Sequence, residues 1–113
     1  MTARNPLLAA PPHAVETALK RLGADLRTAR IRRNLTIADV AEKIGTGPRA
    51  IMDAEKGKPS SSAVIYVALL WTYDLMEQLD GVADPARDER GSTLARAREN
   101  KRPRQRAGLS DDF

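Results

Sequence analysis

The residues of this 113-residue chain that are best suited to chemistry are cations that follow a short turn, Gly45-Thr46-Gly47-Pro48. Arg49 comes directly after the turn, and Lys56 and Lys58 follow it closely. A guanidinium can donate two parallel hydrogen bonds to guanine O6 and N7, and an ammonium can pair with a phosphate. These residues therefore offer the chemistry of polyanion binding.

The sequence offers little for catalysis or metal binding. It has no cysteine, and its single histidine, His13, lies in a proline-bounded segment away from any fixed carboxylate. A catalytic arrangement of His13 with the serines at 60 to 62 would be accidental. Gly45 and Gly47 follow a predicted helix rather than a strand, so they do not form a phosphate-binding glycine loop. We expect no enzyme activity, no cofactor and no metal site.

No segment of the sequence has the character of a membrane span or a secretion signal. The longest apolar run, AVIYVALLW at residues 63 to 71, is far shorter than the roughly 20 residues that a span requires. The apolar LLAA near the N-terminus is too short for the core of a signal peptide. We therefore expect a soluble, cytoplasmic protein without membrane contact.

The net charge of +4 is unevenly distributed. Residues 1 to 33 carry seven Lys and Arg against two acids, residues 34 to 82 four against seven, and residues 83 to 113 eight against six. Basic segments on both sides of an acidic middle suit contact with a polyanion at defined places. A solvated surface without a ligand would give the same pattern.

Apolar residues recur at helical spacing between residues 13 and 82, which predicts an all-α domain. The five predicted helices cover residues 13 to 33, 36 to 44, 48 to 56, 63 to 71 and 73 to 79. Gly23 costs the first helix roughly 1 kcal/mol relative to Ala and would allow it to break in two. Gly45 suits the left-handed conformation that ends a helix, and Pro48 suits the first turn of the next one.

Both ends of the chain are predicted to lie outside this domain. Residues 1 to 12 contain three prolines and no periodicity, so we expect a flexible leader. Residues 83 to 113 have almost no large apolar residue, so we expect a basic, disordered tail that becomes helical at 94 to 99 only when bound. Lys101 to Arg106 holds four cations, which could follow a DNA backbone, meet an acidic partner or remain solvated.

Two short helices joined by a Gly-containing turn are typical of a helix-turn-helix unit, which presents the start of its second helix to the major groove. Ala50 could contact a thymine methyl, and Asp53 could accept from cytosine N4 or repel phosphates. The candidate base-reading residues are Thr46, Gly47, Pro48, Arg49, Ala50 and Asp53. The candidate phosphate contacts are Thr36, Lys43, Lys56 and Lys58, with Arg32 or Arg33 as further options. Since one short helix reads few bases, we expect a homodimer on a palindromic DNA operator.

Residues 22 to 82 resemble the phage-repressor and Cro type of helix-turn-helix domain, the XRE family. The matching features are Leu26-x-x-x-Arg30, Leu35-Thr36, Val40-Ala41, Ile44-Gly45 and Ile51-x-x-x-Glu55-x-Gly57-x-Pro59. The resemblance implies a five-helix, lambda-repressor-like fold and an ion pair between Arg30 and Glu55. The sequence departs from the family at Ile37, where Gln is usual, and at Pro48, where a polar reader is common.

Residues 60 to 88, with the run ALLW, an acidic segment and then ADPARD, look like the HipB-type antitoxins of this family. That resemblance implies a repressor that autoregulates its operon and binds a HipA-like kinase toxin. The aromatic residues Tyr66, Trp71 and Tyr73 would be interface anchors or would complete the core. The alternative is a protein-interaction module that retains the fold but has weak or no DNA binding, as Ile37 and Pro48 would indicate.

Overall fold

The computed structural model of the protein describes residues 5 to 101, and every regular element in that range is a helix. The all-α class is therefore confirmed for the described residues. The α-helices are α1 (Pro6–Ala9), α2 (His13–Arg32), α3 (Ile37–Ile44), α4 (Pro48–Glu55), α5 (Ala63–Thr72) and α6 (Glu89–Asn100), and 3-10 helices cover Met76–Gly81 and Pro85–Arg87. Within residues 5 to 101, no helix combines the length and the apolar content that crossing a membrane requires.

Contacts between the elements divide the described residues into two units, with the boundary between Glu77 and Gln78. In the first unit α4 contacts α2, α3 and α5, and α3 also contacts α5. In the second unit α6 contacts the 3-10 helix Pro85–Arg87. The first unit is therefore assembled around α4, the helix that follows the predicted turn.

The core of the first unit draws on every helix from α2 to α5. Its largest fully buried side chains are Leu26, Val40, Ile51, Leu69 and Tyr73. Helices of only eight residues, such as α3 and α4, are marginal when isolated, so burial of these side chains stabilises them.

Gly23 does not break α2, which runs without interruption from His13 to Arg32. Gly23 is buried where α2 crosses the end of α4, and a Cβ there would lie 2.5 Å from the carbonyl oxygen of Ala54. Gly57, just after α4, makes the reciprocal approach, because a Cβ on it would lie 2.6 Å from the carbonyl oxygen of Leu19. These two glycines therefore let the backbones of two helices touch, which explains a glycine at a costly helical position.

Four consecutive helices, α2 to α5, end in the same way. A residue with positive φ lies just after each helix. The N–H of the residue that follows it donates to the carbonyl five positions before the donor, as in a Schellman motif. The four left-handed residues are Asn34 (φ 56°), Gly45 (φ 82°), Gly57 (φ 71°) and Asp74 (φ 61°). The prediction for Gly45 is confirmed.

The predicted α-helix over residues 73 to 79 is wrong. The N–H of Leu75 donates to the carbonyl of Leu70 at 2.8 Å, and the left-handed Asp74 between them ends α5. The chain then forms the 3-10 helix Met76–Gly81 instead. The apolar spacing of this segment indicated a helix, but the turn at Asp74 carries no glycine to signal it.

The two ends are more helical than the sequence predicted. In the leader, the side chain of Asn5 accepts from the N–H of Leu7 at 2.9 Å and begins α1. In the tail, Asp88 caps α6 by accepting from the N–H of Gly91 at 2.9 Å. The tail was predicted to be helical only at 94 to 99 and only when bound, whereas α6 covers residues 89 to 100, none of which is buried. Residues 1 to 4 and 102 to 113, including most of the basic run 101 to 106, lie outside the described residues.

Candidate nucleic-acid interface

The start of α3 is fixed by a complete capping box. The Thr36 hydroxyl accepts from the N–H of Asp39, and the Asp39 carboxylate accepts from the N–H of Thr36, both at 3.0 Å. The hydrogen bond from the Thr36 backbone lowers the pKa of the Asp39 carboxyl. The Thr36 hydroxyl keeps its own proton for donation to an outside acceptor such as a phosphate oxygen.

The turn between α3 and α4, residues 45 to 47, exposes the start of α4. Gly47 is the N-cap of α4 and Pro48 is its first residue, and both are exposed. Space around the Cα of Gly47 is open, because a Cβ there would have no atom within 4 Å. The flanking Thr46 and Ala50 are half-buried. The first turn of α4 is therefore accessible, although Pro48 has no N–H and the N–H of Ala50 donates to the carbonyl of Gly47 at 3.2 Å.

The outward side of α4 consists of Arg49, Met52 and Asp53, and the exposed Lys56 follows as the C-cap of the helix. The Arg49 side chain is 81% exposed, and its Nε lies 3.8 Å from Oδ1 of Asp53. The same carboxylate oxygen lies 3.4 Å from Nζ of Lys58. Asp53 thus draws two of the predicted DNA-contacting cations toward itself, and these surface pairs are weak enough to exchange for another anion.

The inward side of α4 consists of Ile51, Ala54 and Glu55. Ile51 and Ala54 have no accessible surface. Glu55 accepts two hydrogen bonds from the Arg30 guanidinium, at 2.7 Å from Nε and 3.1 Å from Nη2, so the ion pair that the resemblance implied is present. Only 11% of the Arg30 side chain and 6% of the Glu55 side chain are exposed. The hydrogen bonds to Glu55 raise the pKa of Arg30, which keeps the guanidinium charged.

Arg30 also connects α2 to the start of α3, since its Nη1 donates to the carbonyl of Leu35 at 3.0 Å. One guanidinium therefore fixes the end of α4 and the residue before the Thr36 cap. Arg33 has a comparable role at the end of α5, where its Nη2 donates to the carbonyl of Tyr73 at 2.9 Å. Both arginines named for phosphate contact are exposed, but the hydrogen bonds of Arg33 engage its guanidinium within the fold.

The remaining predicted phosphate contacts, Lys43 and Lys56, are both exposed. Lys43 lies near the end of α3, and its Nζ is 5.3 Å from the centre of the Trp71 ring. Sequence reasoning did not find this cation–π contact, because 28 positions separate the two residues. Lys56 follows α4 directly as its C-cap.

The three aromatic residues divide between the core and the surface. Tyr66 and Tyr73 are buried, 8% and 1% exposed, so they complete the core. Trp71 is 56% exposed, so a core position for it is wrong. Burial raises the pKa of Tyr73 to about 12, and its hydroxyl has no hydrogen-bond partner among the described residues.

Comparisons of the chain with models of protein families, with curated proteins and with solved structures gave no match. Within residues 5 to 101, no group of three or more metal-ligating side chains is arranged to hold an ion. The functional interpretation therefore depends on the residues around α3 and α4 themselves.

Proposed function

We propose that this protein is a sequence-specific, DNA-binding transcriptional repressor in which α3, the turn at residues 45 to 47 and α4 act as a helix-turn-helix unit. The observation that carries the proposal is the exposure of Arg49 at the start of a helix whose inward side is held by the part-buried Arg30–Glu55 pair. A reading residue needs both properties, because it must reach a base and must be held in register.

In the proposed complex the first turn of α4 enters the major groove, which is wide enough for an α-helix. Arg49 exchanges its contact with Asp53 for two hydrogen bonds to guanine, worth roughly 1 to 3 kcal/mol of discrimination. Ala50 lies one residue further along the helix, and its methyl group suits contact with a thymine methyl. The exposed backbone at Gly47 allows close approach to the DNA.

Phosphate contacts in this proposal come from residues on both sides of the turn. The Thr36 hydroxyl would donate from the start of α3, and Lys43, Lys56 and Lys58 would supply charge. If each protomer neutralises three or four phosphates, a dimer gives a slope of log K against log salt of roughly −5 to −7. The two copies would bind a palindromic operator with half-sites roughly 34 Å apart, or a multiple of that distance.

The biological role that we propose is that of an antitoxin in a type II toxin–antitoxin pair. In that role the protein represses its own operon and binds a HipA-like kinase toxin. This part rests on the sequence resemblance of residues 60 to 88. A kinase-like reading frame beside the gene, whose product binds the purified protein, would support it, and a neighbour without kinase motifs would count against it.

A second candidate function is a protein-interaction module that has lost DNA binding. The position of Asp53 favours it, since a carboxylate on the outward side of α4 repels phosphates and pairs with Arg49 and Lys58. Pro48 favours it as well, because the exposed first residue of α4 lacks both a polar side chain and a backbone N–H.

Gel-shift titration on DNA from the protein's own promoter separates the two candidates. Wild type is compared with Arg49→Ala and with Arg49→Lys, which keeps the charge but replaces the planar, rigid fork of donors with a flexible ammonium. Arg27→Ala removes the same charge from an exposed position of α2 and serves as the matched control. The repressor proposal predicts that both Arg49 variants lose about tenfold or more in affinity while Arg27→Ala loses little. Equally weak binding by all four proteins would support the interaction module.

A further inference from the structure

The helix α5 is apolar on all sides. Its sequence, AVIYVALLWT, contains no charged residue. One side, with Tyr66, Leu69 and Leu70, is buried in the core. A helix that is apolar on all sides is expected to be buried on all sides, so we expect the opposite side of α5 to pack against a partner.

That opposite side forms a continuous row, which we call the outer stripe: Val64, Val67, Ala68 and Trp71. The spacing of i, i+3, i+4 and i+7 aligns the four residues along one line of the helix. Val64 is 69% exposed and Trp71 is 56% exposed, whereas Val67 and Ala68 between them are half-buried. The large exposed side chains therefore lie at the two ends of the stripe, with smaller exposed surface in the middle.

The outer stripe of one copy is complementary in shape to the outer stripe of a second copy. If two copies of α5 pair antiparallel about a two-fold axis at Val67 and Ala68, Trp71 of each copy packs over Val64 of the other. The small Ala68 at the centre permits close approach of the two helices. A twofold interface of this kind needs the same residues on both surfaces, and the outer stripe supplies them.

Charge complementarity at the ends of α5 favours the same pairing. The first turn of α5 has no acidic residue, and its N-cap, Ser62, makes no side-chain hydrogen bond to the helix. Beyond the other end of α5, the exposed Asp74 follows in the left-handed conformation. Antiparallel pairing brings Asp74 of each copy toward the uncapped, partially positive N-terminus of the other α5, where a carboxylate is favourable.

We propose that the outer stripe is the interface between two copies of this chain, paired antiparallel through α5. Four apolar side chains per copy are few beside the 20 to 30 residues that a stable interface uses on each side. The dimer is therefore weak, with a dissociation constant in the micromolar range or above. It supplies the second copy that the proposed repressor needs, but it does not depend on DNA binding.

Sedimentation equilibrium and fluorescence of the full chain without DNA test this interface. Trp71 is the only tryptophan, so its emission reports burial of the stripe directly. We expect a shift of the emission to shorter wavelength as the concentration rises into the range where the sedimenting mass doubles. Because no DNA is present, failure of this test is distinct from failure of the DNA-binding proposal.

Two variants sharpen the test. Val64→Asp puts a charge on the stripe in the first turn of α5, where an acidic residue favours the helix, so the monomer remains folded. We expect it to weaken dimerisation at least tenfold, and Asp74→Lys to weaken it severalfold. Leu94→Asp alters an equally apolar residue of α6 that is 60% exposed, and we expect no change in dimerisation.

Three results would overturn the proposal. The first is a chain that stays monomeric up to about millimolar concentration, which would leave the stripe for a partner of different chemistry. The second is a dimer whose formation leaves the Trp71 emission unchanged. The third is a dimer that Val64→Asp weakens no more than Leu94→Asp does.

Discussion

The inward and outward sides of α4 are made of opposite kinds of residue, although the helix is only eight residues long. The inward side buries Ile51 and Ala54 completely and holds Glu55 in a two-pronged ion pair. The outward side leaves Arg49 81% exposed, with only a long contact to Asp53. The inward contacts fix the position of the helix, and the outward cation remains free to change partners.

This difference separates two kinds of experimental effect. Substitutions on the inward side, or in the residues that contact it, should lower the free energy of unfolding. Substitutions on the outward side should leave stability nearly unchanged and alter only binding.

The largest effect is expected for Glu55→Gln. The variant keeps the shape of the side chain but leaves the Arg30 guanidinium, 11% exposed, without an opposing charge. Removing one member of a fully buried ion pair costs about 3 to 5 kcal/mol, and because this pair is part-buried we expect a loss near the lower end of that range in urea unfolding at neutral pH. Asp53→Asn removes the same charge from the outward side and should cost less than about 1 kcal/mol. Equal effects of the two substitutions would contradict the comparison.

Alkaline pH is expected to weaken the core beside this ion pair through Tyr73. Burial raises the folded pKa of Tyr73 to about 12, from 10.0 in the unfolded chain. Below pH 10 the residue is neutral in both states, and between pH 10 and 12 the unfolded chain loses its proton first. Stability should therefore fall by about 3 kcal/mol over this range.

The matched variant for this prediction is Tyr73→Phe. It removes a buried hydroxyl that has no partner among the described residues, so it should not destabilise the protein at neutral pH. Urea unfolding of both proteins from pH 8 to 12 measures the effect. An identical decline in the two proteins would show that Tyr73 is not responsible.

A smaller loss is expected for Gly23→Ala. The added Cβ would lie 2.5 Å from the carbonyl oxygen of Ala54 and 2.6 Å from that of Glu55, so α2 must move away from the end of α4. Overpacking of this kind costs about 1 to 3 kcal/mol, although Ala is otherwise the better helix former. Gly47→Ala, on the outward side of the turn, meets no atom within 4 Å and should cost less than about 1 kcal/mol. Thermal denaturation of both variants checks the contrast.

The sequence predicted the region around α3 and α4 well because its boundaries are marked by residues with few structural alternatives. Gly45 and Pro48 mark the turn, and the Thr36 and Asp39 spacing marks the capping box. The exposure of Arg49 also follows from the sequence, since the apolar residues of α4 define its inward side. The Arg30–Glu55 pair joins residues 25 positions apart and came only from a family resemblance.

Other features lay beyond sequence reasoning for physical reasons. The left-handed turn at Asp74 replaced a predicted helix, and it is stabilised by the hydrogen bond from Leu75 to Leu70 rather than by a glycine. The role of Gly23 depends on which backbone approaches it in three dimensions. The sequence left Trp71 open between the core and an interface because α5 is apolar on every side, so its periodicity does not identify the side that is buried.

The most direct test of the central claim, that Arg49 reads a base from the exposed start of α4, is selection of bound sequences from a random DNA pool. Wild type, Arg49→Ala and Arg27→Ala are compared after the variants are shown to unfold like wild type. We predict a palindromic consensus for wild type and Arg27→Ala, and loss of a guanine preference at one symmetric pair of positions for Arg49→Ala. The same consensus for all three proteins, or none for wild type, would contradict the account.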